Sequence, residues 1–461
     1  MMDEPRLRDI SIKELRADLD CQVISADDAG YDEARAVFLG DIDRRPAAIV
    51  RATNADDVAR VISFARETGA ELAVRSGGHS GAGHGTTDGG ILLDVAEMRE
   101  LAIDVEDRTA WAGSGLTAAE YSAGAGAHGL ATGFGDTGSV GIGGITLGGG
   151  IGFLVRKHGL TIDDLLAADV VTADGQLLHV NAESHPDLFW AIRGGGGNFG
   201  VATRFRFRLH PVDTIVGGML FLPATPDVIA GFIAEAEAAP DELSTIANVM
   251  TAPPMPFLPP EVVGTVIVMA MLVHSGGGEA GELAVAPFRE LAPPIADFVR
   301  SMSYPEMYMP EEEGYHPVAV TRTMFVDRID RSAADTIMDD VGASSATLSA
   351  AQLRVLGGAM ARVADDATAF AHRGRRIMVN VAALYERPEE RTTHESWADG
   401  FHAALRQDGA GAYVNFLMDE GEDRIREAYP GPTWERLRAI KARYDPDNLF
   451  RLNQNIPPAR S

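Results

Sequence analysis

The chain has 461 residues, 46% of them hydrophobic and 23% charged, which suits a globular protein with two or more cored domains. Its formal charge of −27 argues against nucleic acid, whose phosphates need Lys and Arg, and against an anionic membrane surface. With Cys21 as the only cysteine, an intramolecular disulfide and a multi-thiolate zinc site are excluded. Met1-Met2-Asp3-Glu4-Pro5 lacks a basic stretch followed by an apolar core, and no apolar run reaches bilayer length, so a cytoplasmic location is expected.

The N-terminal part alternates extended and helical patterns. Ala47–Arg51 reads as a strand; Asn54 then caps a helix with Asp56 and Asp57 in its first turn and Val58, Val61, Ile62 and Ala65 on its apolar face. Gly69 ends that helix and Leu72–Val74 forms the next strand. Further strands are expected at Ile91–Val95, Thr109–Gly113, Ala167–Thr172, Leu177–Val180 and Ala202–Leu209, separated by turn signals such as Asp174-Gly175. After about Leu209 the composition shifts from glycine clusters to Met and Pro. Strands at Ser244–Met250, Thr265–Val273, Val320–Val326 and Ile377–Leu384 alternate with helices at Pro226–Ala238, Ala280–Leu291, Ala333–Val341 and Glu389–Leu405. That pattern predicts a mostly antiparallel sheet with helices on one face. Pro253–Pro260 and Tyr304–Pro310 read as long surface loops.

Chemistry concentrates in the glycine-rich stretches, which hold most of the 50 glycines between Ser76 and Gly200. Arg75-Ser76-Gly77-Gly78-His79-Ser80 follows a strand; paired glycines let backbone amides approach a bulky anion, and the imidazole beside them is a potential nucleophile. Two stretches fit G-x-G-x-x-G, at Gly133–Gly138 and Gly195–Gly200, but neither follows a strand and opens a helix as a nicotinamide-dinucleotide turn would. No His-Glu-x-x-His, calcium loop or Gly-x-Ser-x-Gly is present, so no metal and no serine hydrolase site are expected. His84, His128 and His158 read as loop or helix-end residues, and His372 as structural.

Four motifs occur in order: Arg75–Ser80, Thr137–Gly152, Pro186–Val201, and a C-terminal run from Tyr413 through Tyr444-Asp445-Pro446-Asp447-Asn448 to Asn453-Gln454-Asn455. Together they resemble the vanillyl-alcohol oxidase superfamily of FAD-linked oxidases, in the berberine-bridge-enzyme-like group and its bacterial branch, that of 6-hydroxy-D-nicotine oxidase. The resemblance implies an α+β fold. A split FAD-binding domain (residues 1–209 and a returning segment 411–461) would flank an α/β substrate domain (210–410) whose mostly antiparallel sheet is covered by helices.

By that resemblance the cofactor is FAD. Arg75, Ser76, Gly77, Gly78 and Ser80 would wrap its pyrophosphate, and His79 would bond covalently to its 8α-methyl. Val140, Gly141, Gly143, Gly144, Gly148, Gly149 and Gly150 would line the flavin, Val201 would contact the adenine end, and Asn453 and Asn455 belong to the cofactor-binding tail. Many members add a second, cysteinyl link; the matching position here is Thr137, which cannot form a thioether, so a single link is implied. Valine at 140 favours access of O₂. Tyr413 and Asn415 are the expected catalytic residues, although the second tyrosine of that segment, often the base, is Phe416 here.

The implied activity is oxidation of a small alcohol, amine, sugar or secondary metabolite with O₂ as acceptor. The alternatives are a flavin dehydrogenase using another acceptor and a non-catalytic drug-binding protein on the same fold. The expected partners are a small-molecule substrate and O₂, without nucleic acid or membrane, in a monomer or homodimer.

Overall fold

A computed structural model describes residues 10–310, 314–407 and 411–460. Met1–Pro5 and the expected domain limits at 1, 410 and 461 lie outside them. Near the N-terminus a four-stranded sheet has the order Gln22–Ile24, Ala48–Arg51, Ile91–Asp94, Leu72–Arg75, the last three parallel. The helix Ala55–Thr68 buries Val58, Val61, Ile62 and Ala65 against this sheet. Asn54 caps it by accepting the Asp57 amide at 3.0 Å, and Gly69 ends it at φ +72°, a conformation that costs glycine little. A second, antiparallel sheet runs Leu101–Asp104, Thr109–Gly113, Val201–Arg208, Leu165–Val171, Leu177–Asn181.

The middle of the chain forms one large antiparallel sheet. Its order is Ala296–Asp297, Thr214–Pro223, Val266–His274, Leu243–Thr251, Leu348–Val355, Ile377–Tyr385, Val318–Val326, with Arg300–Ser303 also pairing Thr214–Pro223. Helices Pro226–Ala238, Gly278–Glu290, Arg331–Ala343 and Arg391–Leu405 share one apolar core with it. The opposite face turns Asn248, Gln352 and Arg354 towards the N-terminal part.

Two long strands of this sheet, Thr214–Pro223 and Leu348–Val355, are absent from the sequence expectation, as are the short Ala296–Asp297 and Arg300–Ser303. The first carries Gly217 and Gly218, and the second has the small residues Ser349, Ala350 and Ala351 after Leu348, so only Gln352-Leu353-Arg354-Val355 shows the alternation that marks a strand. The stretch Tyr304–Met307 is a short 3₁₀ turn rather than a surface loop. Tyr304 and Tyr308 are buried, and the Tyr308 hydroxyl donates to the Gly135 carbonyl at 3.3 Å.

After residue 411 the chain returns to the N-terminal part. Ala412, Leu417, Trp434, Leu437, Ile440 and Ile456 share a core with Tyr121, Phe134, Phe153 and Phe205. Polar bonds close the join. Lys441, fully buried, donates to Asp445 at 2.6 Å and to the Asn198 and Phe450 carbonyls at 2.8 and 3.0 Å. Asn198 donates to the Gln454 carbonyl and accepts the Ile456 amide. Among the described residues no helix is long and apolar enough to cross a membrane.

Candidate active site

A cavity of about 430 Å³ lies where these parts meet. One wall is backbone from Ser76–Ser80, Val140–Gly144 and Gly196–Gly200. Gly77 and Gly141 are pressed together so closely that a Cβ on Gly77 would lie 2.2 Å from the Gly141 nitrogen. Gly144 and Gly197 behave differently: a Cβ at either would meet nothing within 4 Å. These two glycines therefore leave room that a ligand can occupy.

Arg75 shapes the loop from behind. Its guanidinium bonds to Asp94 at 2.7 Å and to the Ala34 and Ala36 carbonyls at 2.6 and 3.0 Å, so the side chain is spent on holding the loop. Val201, Leu72, Val95 and Phe450 form an apolar part of the wall. Asn453 also lines the cavity; its Oδ1 is buried without a protein partner, an acceptor that fits a hydroxyl-bearing ligand. Asn455 does not line the cavity, and its Oδ1 is likewise buried without a partner.

His79 lines the same cavity. Its Nε2 lies 2.9 Å from Ser139 Oγ, and its ring stacks on Phe38 with centroids 4.1 Å apart. Burial pushes its pKa down to about 4, against a weaker upward pull from the Ser139 backbone, so the imidazole is neutral at physiological pH. Thr137 and Val140 stand nearby on the wall.

The opposite wall is made of side chains. Arg354, 3% exposed, bonds to Asp136 at 2.6 Å and to Gln352 at 2.7 Å, with its guanidinium 5.3 Å from the Phe416 ring centre. Gln352 is held by Asn248 on the next strand at 3.0 Å, and Asn248 by the Met269 carbonyl beyond at 3.2 Å. Among the described residues Asp136 is the one carboxylate on the cavity wall. Sequence reasoning missed Asp136, Gln352 and Arg354. His84 lies in a loop, as the sequence reads, and also lines the cavity, its pKa pushed down by burial to about 4. Its position four residues after Ser80 was the available signal.

Tyr413 and Asn415 reach the cavity wall, but their polar atoms serve the backbone. The Tyr413 hydroxyl oxygen accepts the Gly150 and Ile151 amides at 2.9 and 3.2 Å and Asn415 Nδ2 at 2.9 Å. Burial pushes its pKa up. Asn415 also donates to the Ile145 carbonyl at 3.1 Å. Gly148, Gly149 and Gly150 do not line the cavity. They make room for these side chains and for Thr161: a Cβ on Gly148 would fall 2.0 Å from Asn415 Oδ1, and one on Gly150 closer still to Thr161. His372 is buried with Nε2 3.1 Å from the Ala428 carbonyl, away from the wall.

A split α+β fold enclosing a glycine-walled cleft with a neutral histidine on its rim defines a flavoprotein of the oxidase type. Residues 46–181 match the family described as FAD binding domain, and residues 412–457 match berberine and berberine like. The chain is 30% identical to (R)-6-hydroxynicotine oxidase of Paenarthrobacter nicotinovorans over 455 residues, covering 95% of this chain and 97% of that one. It is 28% identical to xylooligosaccharide oxidase of Thermothelomyces thermophilus, covering 90% and 88%.

Among solved structures, 6-hydroxy-D-nicotine oxidase of Arthrobacter nicotinovorans superposes with a TM-score of 0.84 at 27% identity, over 96% of this chain and 98% of that one. Glucooligosaccharide oxidase of Acremonium strictum, described as carrying 6-S-cysteinyl, 8α-N1-histidyl FAD, shares the fold with a TM-score of 0.85 at 24% identity, over 98% and 100%. The chain belongs to the berberine-like family of FAD-linked oxidases: it is an FAD-dependent oxidoreductase.

Proposed function

We propose that this chain is an oxidase with FAD tethered once, through His79, that oxidises a small alcohol, amine, sugar or secondary metabolite and uses dioxygen as acceptor. The observation that carries the reading is His79 itself: a half-buried, neutral imidazole on the cavity wall, beside a loop that closes on Gly141. Neutral imidazole is a competent nucleophile. Thr137 offers no sulfur, so the second link of the doubly attached relative has no counterpart here.

Ser76–Ser80, Val140–Gly144 and Gly196–Gly200 would hold the FAD by backbone amides, with Val201 and Phe450 against an apolar portion and Asn453 Oδ1 accepting a hydroxyl. When bound, FAD supplies a hydride acceptor for the substrate carbon. The chain's own task is to orient the substrate and take its heteroatom proton. Phe416 has no hydroxyl for that, and the Tyr413 oxygen already accepts three N–H bonds. Asp136, bonded to Arg354 at 2.6 Å, is the carboxylate on the wall that can take that proton. Tyr413 and Asn415 in this reading hold the Gly148–Ile151 backbone in place.

The test is direct. Acid-precipitated protein should stay yellow, and a panel of alcohols, amines and sugars screened for peroxide release should contain a substrate. Anaerobic bleaching by a substrate with slow reoxidation in air would instead mean a dehydrogenase, and a colourless pellet would remove the tether.

A further inference from the structure

We propose that Ser139, with Phe38 against the ring, is the positioning residue that makes Nδ1 of His79 the nitrogen that attaches FAD; this rests on the reading of His79 as the tether. An imidazole attacks through whichever nitrogen carries the lone pair, and its tautomer is set by the bond the other nitrogen makes. Nε2 lies 2.9 Å from Ser139 Oγ. A proton on Nε2 donated to that oxygen leaves the lone pair on Nδ1.

The ring is also clamped. Phe38 stacks on it at 4.1 Å with planes 21° apart. Phe38 is fixed in turn: its amide donates to the Gly78 carbonyl at 3.1 Å, and Tyr315 packs edge-on against it at 6.3 Å. The preceding residue is pinned from the middle of the chain, where His316 Nδ1 lies 2.9 Å from the Val37 carbonyl. Phe38, His79, Ser139 and His316 border a second, smaller cavity of about 280 Å³ against the Ser76–His79 loop. The histidine is thus held by groups from three separate stretches of chain. Burial keeps the ring neutral, so its lone pair is available without a strong base.

Forming the bond from Nδ1 to the 8α carbon breaks one C–H bond of the 8α-methyl group and the Nε2–H bond. The C–H electron pair passes into the isoalloxazine ring and is taken off by dioxygen, so each link made consumes one dioxygen and releases one hydrogen peroxide. Ser139 Oγ faces the nitrogen whose proton becomes more acidic as the new bond forms.

The experiment follows flavin that becomes acid-stable after FAD is added to full-length protein produced under riboflavin limitation, together with total bound FAD and the peroxide released. Ser139→Ala should bind FAD as the wild type does but attach it about tenfold more slowly, the scale of loss expected when a reacting group is left unoriented. Ser139→Thr, which keeps the hydroxyl, should recover most of the rate, and Phe38→Leu should also be slow. A wild-type rate in Ser139→Ala, or a Ser139→Thr as slow as the alanine variant, would overturn the proposal. Should Ser139→Ala bind no FAD, Phe38→Leu decides: a wild-type rate there overturns it. Wild-type protein whose FAD never becomes acid-stable, indistinguishable from His79→Ala, removes the tether and this proposal with it.

Discussion

The two walls of the cavity meet the ligand in different ways. On one side Ser76–Ser80, Val140–Gly144 and Gly196–Gly200 present main chain, with glycines placed where a side chain would strike the neighbouring loop or fill the cleft. On the other side the large sheet presents side chains, Arg354 and Gln352, braced across three strands and paired with Asp136 from the first wall's own loop. A wall of main chain recognises a ligand common to many proteins, since amides are the same in every sequence. A wall of side chains can be rewritten residue by residue, and it is where substrate choice belongs.

The strongest challenge to the first wall comes from its strap. Lys441→Met leaves Asp445 buried without its cation and the Asn198 and Phe450 carbonyls without a donor. Breaking such a pair costs about 3–5 kcal/mol, so chemical denaturation should show a loss of that order and release of the C-terminal segment. Where Arg354 of the second wall meets Asp136, Asp136→Asn should leave bound FAD unchanged and lower kcat about 100-fold (~2.7 kcal/mol), the scale of general-base removal. An unchanged kcat would move proton removal elsewhere.

The glycines separate cradle from packing. Gly197→Val projects into open cavity and should weaken FAD binding about tenfold (~1.4 kcal/mol) with Tm of the FAD-free protein unchanged. Gly148→Ala, whose Cβ would meet Asn415 Oδ1 at 2.0 Å, should lower Tm instead. A further effect is on acid stability. His79, His84, His372 and His402 are pushed down by burial to about 4 and His158 to about 3, from an ordinary 6.5. Below pH 6.5 the unfolded chain binds protons that the folded one refuses, so their contribution is intact above that pH and lost as pH falls towards 4. Tm should decline through that window; a flat profile would contradict the burial of these rings.

What was legible in the sequence follows the same division. The glycine loops, His79, Val140 and the returning tail could be named from motifs because backbone recognition needs specific residue types in fixed order. The helix Ala55–Thr68 could be placed from its cap and apolar stripe. Arg354 and Gln352 could not: they lie more than 200 residues from Asp136, on a strand whose small residues Ser349, Ala350 and Ala351 shorten the alternation used to find strands. Gly148–Gly150 misled in the opposite direction. A glycine run reads alike whether it admits a cofactor or the Asn415, Tyr413 and Thr161 side chains.

The central claim is the single tether at His79, and the intact mass of the acid-denatured chain tests it most directly. The account predicts that the wild-type chain is heavier than its sequence by one FAD, carried on the peptide containing His79, and that His79→Ala has the mass of the bare polypeptide. A wild-type chain at bare mass, or an FAD still bound covalently in His79→Ala, would contradict it.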